Sequence, residues 1–184
     1  MFVLVSGLPG SGKSTVAAPL AQALGLPLLA RDDIKESLWD ALGPGDVEFS
    51  RRIGGASNDV FKRIARTMGR AVLDNFFHYG DRANVEALGG PFFEVHCSPP
   101  PEVARRRYAT RERHPCHFDL EYGVPQFDRW IEHDNRSLDL GPVLELDTSE
   151  PTDIESIAAW LRGRLSDSLS ESHKRTRQSG KSDR

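Results

Sequence analysis

Residues 7–15, GLPGSGKST, directly behind the apolar run FVLVS at 2–6, decide how the rest of the chain is read. Gly7-x-x-x-x-Gly12-Lys13-Ser14 fits the phosphate-loop spacing, and its setting, a buried strand before and a helix after, is the one the pattern requires. The glycines let the backbone curl with its N–H groups turned inward, where a side chain at Gly10 or Gly12 would block close approach. The following helix adds the positive end of its dipole. Lys13 has the reach for β- and γ-phosphates, and the Ser14 hydroxyl suits Mg²⁺. Gly7, Pro9, Gly10, Ser11, Gly12, Lys13, Ser14 and Thr15 are therefore expected to bind ATP, with Ser14 as metal ligand. The alternative, a glycine-rich turn with a chance Lys-Ser, does not account for motif and context together.

Outward from this loop, strand and helix signals alternate, as they do in parallel βαβ units. A helix is expected over about 13–24, with Pro19 costing it one backbone hydrogen bond. Strands follow at 26–30, 71–74, 91–97 and 142–147. Between them the spacing predicts helices over 32–43 (an Asp cap and a Gly stop), 47–69, about 81–88, within 99–113 with prolines at its mouth, and over 125–138. A closing helix begins near 151. Gly54-Gly55 is a candidate break in the 47–69 helix. The sum is one α/β domain over 1–165 with about five parallel strands.

The 184 residues carry a formal charge of −3, with no apolar run of the roughly 20 residues a membrane span needs. The serine-rich stretch 166–184 has five Lys/Arg against three acids, so the first 165 residues carry −5. That stretch reads as a disordered polar tail. An acidic body disfavours a nucleic-acid partner without excluding it. Two cysteines, Cys97 and Cys116, make no disulfide framework and suit a reducing cytoplasm. The oligomeric state is not legible.

Phosphate binding does not name a reaction. A guanine-reading N-K-x-D is absent, and no Glu follows Asp74 in AVLDN to polarise water, as a motor ATPase would need. A kinase needs a carboxylate to take the acceptor's proton and cations around the moving phosphoryl. ARDDIKESL (30–38) places Asp32 and Asp33 at the carboxyl end of the second strand, where ligands gather in open α/β sheets. Asp32 is favoured as base and Asp33 as helix cap or part of the Mg²⁺ shell, with the assignment between them open. Lys35 either steers an anionic or polar substrate or is a solvated surface lysine.

The segment 105–117, RRRYATRERHPCH, holds five arginines within nine positions. Arg107, Arg111 and Arg113 on a helix running into a loop can meet over a γ-phosphate as a closing lid of about 105–118. Alternatively they pair with Glu102 and Glu112 on an exposed helix. His114, Cys116 and His117 lack a second cluster to complete a zinc site. The histidines are better read as substrate contacts or lid supports, and Cys97 as a core thiol.

FVLVSGLPGSGKSTVAAPLAQALGLPLLARDDIKESL, with the Arg-rich segment, resembles P-loop kinases of the zeta-toxin, chloramphenicol-phosphotransferase and polynucleotide-kinase group. The resemblance implies an adenylate-kinase-like sheet of order 2-3-1-4-5 and Asp32 as catalytic base. It implies that Lys35 replaces a substrate-binding arginine, and that Asp74, Asn75 and Arg82 help hold the substrate. It further implies that Arg107 and Arg111 act catalytically, that Arg113 faces the phosphates, and that LDTSEP (146–151) lies near the adenine. The expected activity is ATP- and Mg²⁺-dependent transfer to a hydroxyl of a small molecule, an antibiotic being one such acceptor. A 5′-hydroxyl polynucleotide kinase and a non-catalytic nucleotide-binding regulator are the competing readings. Residues 44–70, where such kinases build their acceptor pocket, receive no role from the sequence.

Overall fold

The computed structural model describes residues 1–165; the tail read over 166–184 lies outside them. Five strands, β1 (Phe2–Ser6), β2 (Leu28–Ala30), β3 (Ala71–Asp74), β4 (Phe92–Cys97) and β5 (Val143–Leu146), form one sheet. Its order is β2-β3-β1-β4-β5, as expected, and every adjacent pair is parallel. Helices are α1 (Lys13–Leu24), α2 (Arg31–Leu42), α3 (Val47–Met68), α4 (Arg82–Glu86), α5 (Pro101–Thr110), α6 (Val124–Asp134) and α7 (154–165).

Alternation along β1 builds the three layers. Val3 and Val5 face α1 and α7 and pack with Val16, Leu20, Ile157 and Leu161. Phe2 and Leu4 point the other way, into Phe61, Ala65, Phe77 and Leu138. A strand covered on both faces has no polar side, which is why FVLVS is continuously apolar. All five strands run the same way, so their carboxyl ends share one edge. Gly7, Arg31, Asp74 and Thr148 are collected there.

Three local expectations are corrected. Helix α2 starts at Arg31 with Ala30 as its cap residue, so neither Asp32 nor Asp33 is the cap; both lie in the first turn, where carboxylates meet the helix dipole favourably. Gly54-Gly55 does not break α3, which runs unbroken for 22 residues. Its end is fixed instead by Asp46, which accepts a hydrogen bond from the Phe49 amide. Gly54 has a packing reason: a Cβ there would lie 3.0 Å from the Arg31 guanidinium. Helix α6 ends at Asp134, four residues before its expected end. No described helix is long and apolar enough to cross a membrane.

Candidate active site

The phosphate loop leaves β1 through Gly7, Gly10 and Gly12, all at positive φ (127°, 81° and 86°). Two of them also need the missing side chain for space. A Cβ on Gly7 would sit 2.2 Å from the Cys97 carbonyl oxygen, and one on Gly10 2.3 Å from that of Ala104. The loop is thus wedged between β4 and α5. Thr148, after β5, ties it down by donating to the Ser11 carbonyl at 2.6 Å. Ser11 Oγ is buried without a partner, a donor left over inside the loop.

Lys13 Nζ donates to the Leu8 carbonyl at 2.7 Å and lies 5.9 Å from the Phe76 ring centroid. Burial brings its pKa down to about 8, opposed chiefly by the carboxylate of Asp74. Burial in turn raises the pKa of Asp74, which Lys13 and a hydrogen bond from Ser14 partly offset. Ser14 and Asp74 offer two hard oxygen donors beside the loop. That set fits Mg²⁺, which takes one or two protein oxygens and completes its shell with water and phosphate oxygens. Among the described residues no cluster of three or more His, Cys, Asp or Glu is arranged to hold a metal ion.

A cleft of about 520 Å³ opens from the loop. Pro9, Gly10, Gly12, Lys13, Ser14 and Thr15 line one end, with Asp74, Asn75, Arg107, Arg111 and Arg113. Asp32 lines it from α2. Its carboxylate pairs with Arg31 at 3.1 Å and accepts a hydrogen bond from Arg113 on the other side. Burial pushes its pKa up, but the charges of Arg113, His117 and Arg31 more than reverse this and hold it well below the carboxylate range.

The lid arginines do not pair with Glu102 or Glu112. Arg105 pairs with Asp128. Arg107 donates to the Thr148 carbonyl at 3.0 Å. Arg111 presents both Nε (3.2 Å) and Nη2 (3.0 Å) to one oxygen of Asp119, and Tyr108 donates to the other at 2.8 Å. Two histidines fasten this segment to α2: His117 to Glu36 at 2.7 Å and His114 to Asp40 at 3.0 Å. Both imidazoles are thus engaged by carboxylates of α2.

Other expected residues are distributed unevenly. Lys35 is no surface lysine; it is 6% exposed, lines the cleft and donates to Ser50 Oγ at 2.9 Å. Asp33 is exposed and does not line the cleft. Arg82 also lies outside it, donating to the carbonyls of Leu138 (2.9 Å) and Asp139 (3.2 Å). Gly7 and Ser11 shape the loop from beneath. Cys97 is buried in the core, which pushes its thiol up to about 12.

The far wall comes from residues without an assigned role. Ser50, Arg51, Gly54 and Asn58 present one face of α3, joined by Arg31 from α2 and by Phe118, Asp119, Tyr122 and Trp130 after the lid. The α3 group had a readable signal: Ser50, Gly54 and Asn58 recur every four residues on the same helical face as Ile53, Phe61 and Ala65, small or polar where that face meets the cleft.

A family model described as an AAA domain matches residues 2–124. Two curated cytidylate kinases are similar over short stretches. That of Pyrobaculum aerophilum is 33% identical over 64 residues, 35% of this chain and 34% of that protein. That of Natronomonas pharaonis is 44% identical over 52 residues, 28% and 27%. The chain therefore aligns with about a third or less of those relatives' length. Among solved structures, a Chloroflexus aurantiacus protein provisionally assigned as a kinase is 27% identical, with a TM-score of 0.75 over 88% of this chain and 96% of that one. A sugar kinase of a Janibacter species (21%, TM-score 0.58, 88% and 94% covered) shares the fold. So does shikimate kinase of Acinetobacter baumannii (16%, TM-score 0.52, 91% and 94% covered).

Proposed function

This chain belongs to the AAA domain family, and from that membership and the geometry of its cleft we propose that it is a kinase. It moves the γ-phosphoryl group of ATP, with Mg²⁺, to a hydroxyl of a small molecule. Within the P-loop kinases it sits with the zeta-toxin, chloramphenicol-phosphotransferase and polynucleotide-kinase group. The observation that carries the reading is the convergence of Asp32, Lys13 and three lid arginines on one cleft that extends past the phosphate loop to α3. A switch or a passive nucleotide binder has no use for an ionised carboxylate at that place.

The loop amides and Lys13 hold the β- and γ-phosphates; Ser14, with Asp74 beside it, holds the metal ion. When bound, ATP with Mg²⁺ supplies a phosphoryl group in line for displacement, its charge partly neutralised. Asp32 accepts the acceptor's hydroxyl proton as the oxygen–phosphorus bond forms and the bond to ADP breaks. Arg107, Arg111 and Arg113 stabilise the charge on the phosphoryl oxygens in transit, and Lys13 stabilises the leaving phosphate. Phe76 and Trp130 on one side, and Phe118 and Tyr122 beyond the lid, give the acceptor an apolar wall and exclude water.

Cytidylate kinases, as their name says, act on a nucleotide, and a phosphate acceptor needs no base. Asp32 is the feature that favours a hydroxyl here. The test is phosphate transfer from labelled ATP, screened over hydroxyl compounds, a 5′-hydroxyl oligonucleotide and nucleoside monophosphates. Transfer to small hydroxyl compounds alone supports the proposal; transfer only to monophosphates or to the oligonucleotide overturns it.

A further inference from the structure

We infer that the acceptor carries an oxyanion, a carboxylate or a phosphate, and that Arg51, Lys35 and Arg31 hold it at the α2–α3 end of the cleft. The inference rests on the kinase reading for the word acceptor; the anion site itself does not.

Charge gives the first reason. Seven cationic side chains line the cleft against three carboxylates, a local excess of +4 in a chain whose formal total is −3. A triphosphate with its magnesium ion offsets about two of these charges at the loop end. Arg31, Lys35 and Arg51 line the other end. The three carboxylates of the cleft are already engaged: Asp119 by Arg111 and Tyr108, Asp32 by Arg31 and Arg113, Asp74 by Ser14 beside Lys13.

Burial gives the second. Lys35 is almost fully enclosed, yet among the described residues forms no ion pair. Its ammonium is steered by Ser50, whose hydroxyl accepts from Lys35 and donates to the Cys116 carbonyl. One hydroxyl satisfies one of three N–H donors, and burial lowers the lysine's pKa, followed by repulsion from Arg31. A buried cation without a counter-charge is costly, and an oxyanion ligand relieves that cost.

The neighbouring guanidiniums repeat the pattern. Arg31 reaches Asp32 through Nη1 and the Gly54 carbonyl through Nη2 at 3.0 Å, while its Nε is buried without a partner. Arg51 makes no ion pair among the described residues and rests over the Tyr122 ring, 5.5 Å from its centroid. Gly54 and Gly55 keep the space between these groups open. Guanidinium forks suit planar carboxylate and tetrahedral phosphate alike, so both remain arms of the test.

The test separates this site from the nucleotide site by filling the latter first. Thermal unfolding is followed with saturating Mg²⁺ and the non-hydrolysable imido analogue of ATP. A missing shift at this step defeats the kinase reading and leaves the anion site to be judged in the same assay without nucleotide. Glycerol, glycerate and glycerol 3-phosphate are then titrated as probes without an anion, with a carboxylate and with a phosphate. At least one anionic probe is expected to bind about tenfold or more tighter than glycerol. Arg51→Gln, an exposed change, should cut that advantage by about fivefold or more, and Lys35→Gln further where it folds. Equal binding of the three probes, or an advantage undiminished in Arg51→Gln, overturns the inference. The tighter of the two anionic arms identifies the oxyanion.

Discussion

Arg113, in the loop after α5, donates a hydrogen bond to Oδ2 of Asp32, and the same guanidinium lies 3.6 Å from Asp119. The lid is thereby joined to the carboxylate proposed as base. While Arg113 rests there, Asp32 is ionised but weakly basic; transfer of that guanidinium to phosphate oxygens would raise its proton affinity as the acceptor arrives. Asp32→Asn keeps the size and removes the proton acceptor. Phosphoryl transfer is expected to fall by about 10²–10⁴, with ATP affinity within a few-fold of wild type. Single-turnover kinetics with a parallel nucleotide titration measures both; full turnover in the variant would remove Asp32 from its role.

Asp119 acts through the residues it holds. It takes Nε and Nη2 of Arg111 on one oxygen and the Tyr108 hydroxyl on the other, fixing a guanidinium beside the phosphate loop. Its contribution is to position, so Asp119→Asn should lower kcat by about tenfold to a hundredfold while the KM for ATP changes little. Asp119→Glu, which restores the charge, should recover part of the loss. A variant that loses thermal stability and leaves kcat intact would make Asp119 a structural residue only.

How much of this was legible follows from which signals are local. The loop at 7–15 announced itself because spacing, strand and helix all lie within a dozen residues. Asp32 was legible for the same reason, its strand ending one residue before α2 begins. Arg31 was hidden in the same stretch because reading centred on the acid pair, although its guanidinium spans Asp32 and Gly54. The stripe Ser50, Gly54 and Asn58 is present in the sequence at helical spacing, but small and polar residues at that spacing do not by themselves mark a cleft wall. Asp119 had no local signal. Its approach to Arg111 depends on Phe118 adopting φ 49°, a left-handed turn for a bulky residue, followed by the π-helical turn Asp119–Gly123. The resemblance that brought Arg82 to the substrate could not see that the carbonyls of Leu138 and Asp139 claim it first.

The lid's attachment to α2 makes acid stability a measurable property. His117 bonds to Glu36, and burial together with the nearby Arg113 brings its pKa down to about 4 from the ordinary 6.5. Between these values the unfolded chain binds a proton that the folded chain does not. His117 therefore costs the fold stability as pH falls from about 6.5 toward 4, and costs nothing above that window. His117→Gln retains a polar group without titrating. Denaturant midpoints should show the variant gaining on wild type as pH drops from 7 to 5. A difference that is constant with pH would mean that His117 is not held neutral.

The two adjacent glycines of α3 should respond oppositely to the same change. Alanine in a helix interior is favoured over glycine by about 0.5–1 kcal/mol. At Gly55 a Cβ meets nothing within 4 Å, so Gly55→Ala should raise stability by about that amount. At Gly54 the new Cβ would lie 3.0 Å from Arg31 Nη2, the atom that donates to the Gly54 carbonyl. The guanidinium must move, weakening its hold on Asp32 Oδ1 and offsetting the helical gain. Gly54→Ala should therefore be no more stable than wild type, with a KM for the acceptor raised several-fold and ATP affinity preserved. Thermal midpoints of the two variants, read beside their acceptor kinetics, check the pair. Equal stabilisation by both would show that Arg31 is free to shift and that Gly54 is not kept small on its account.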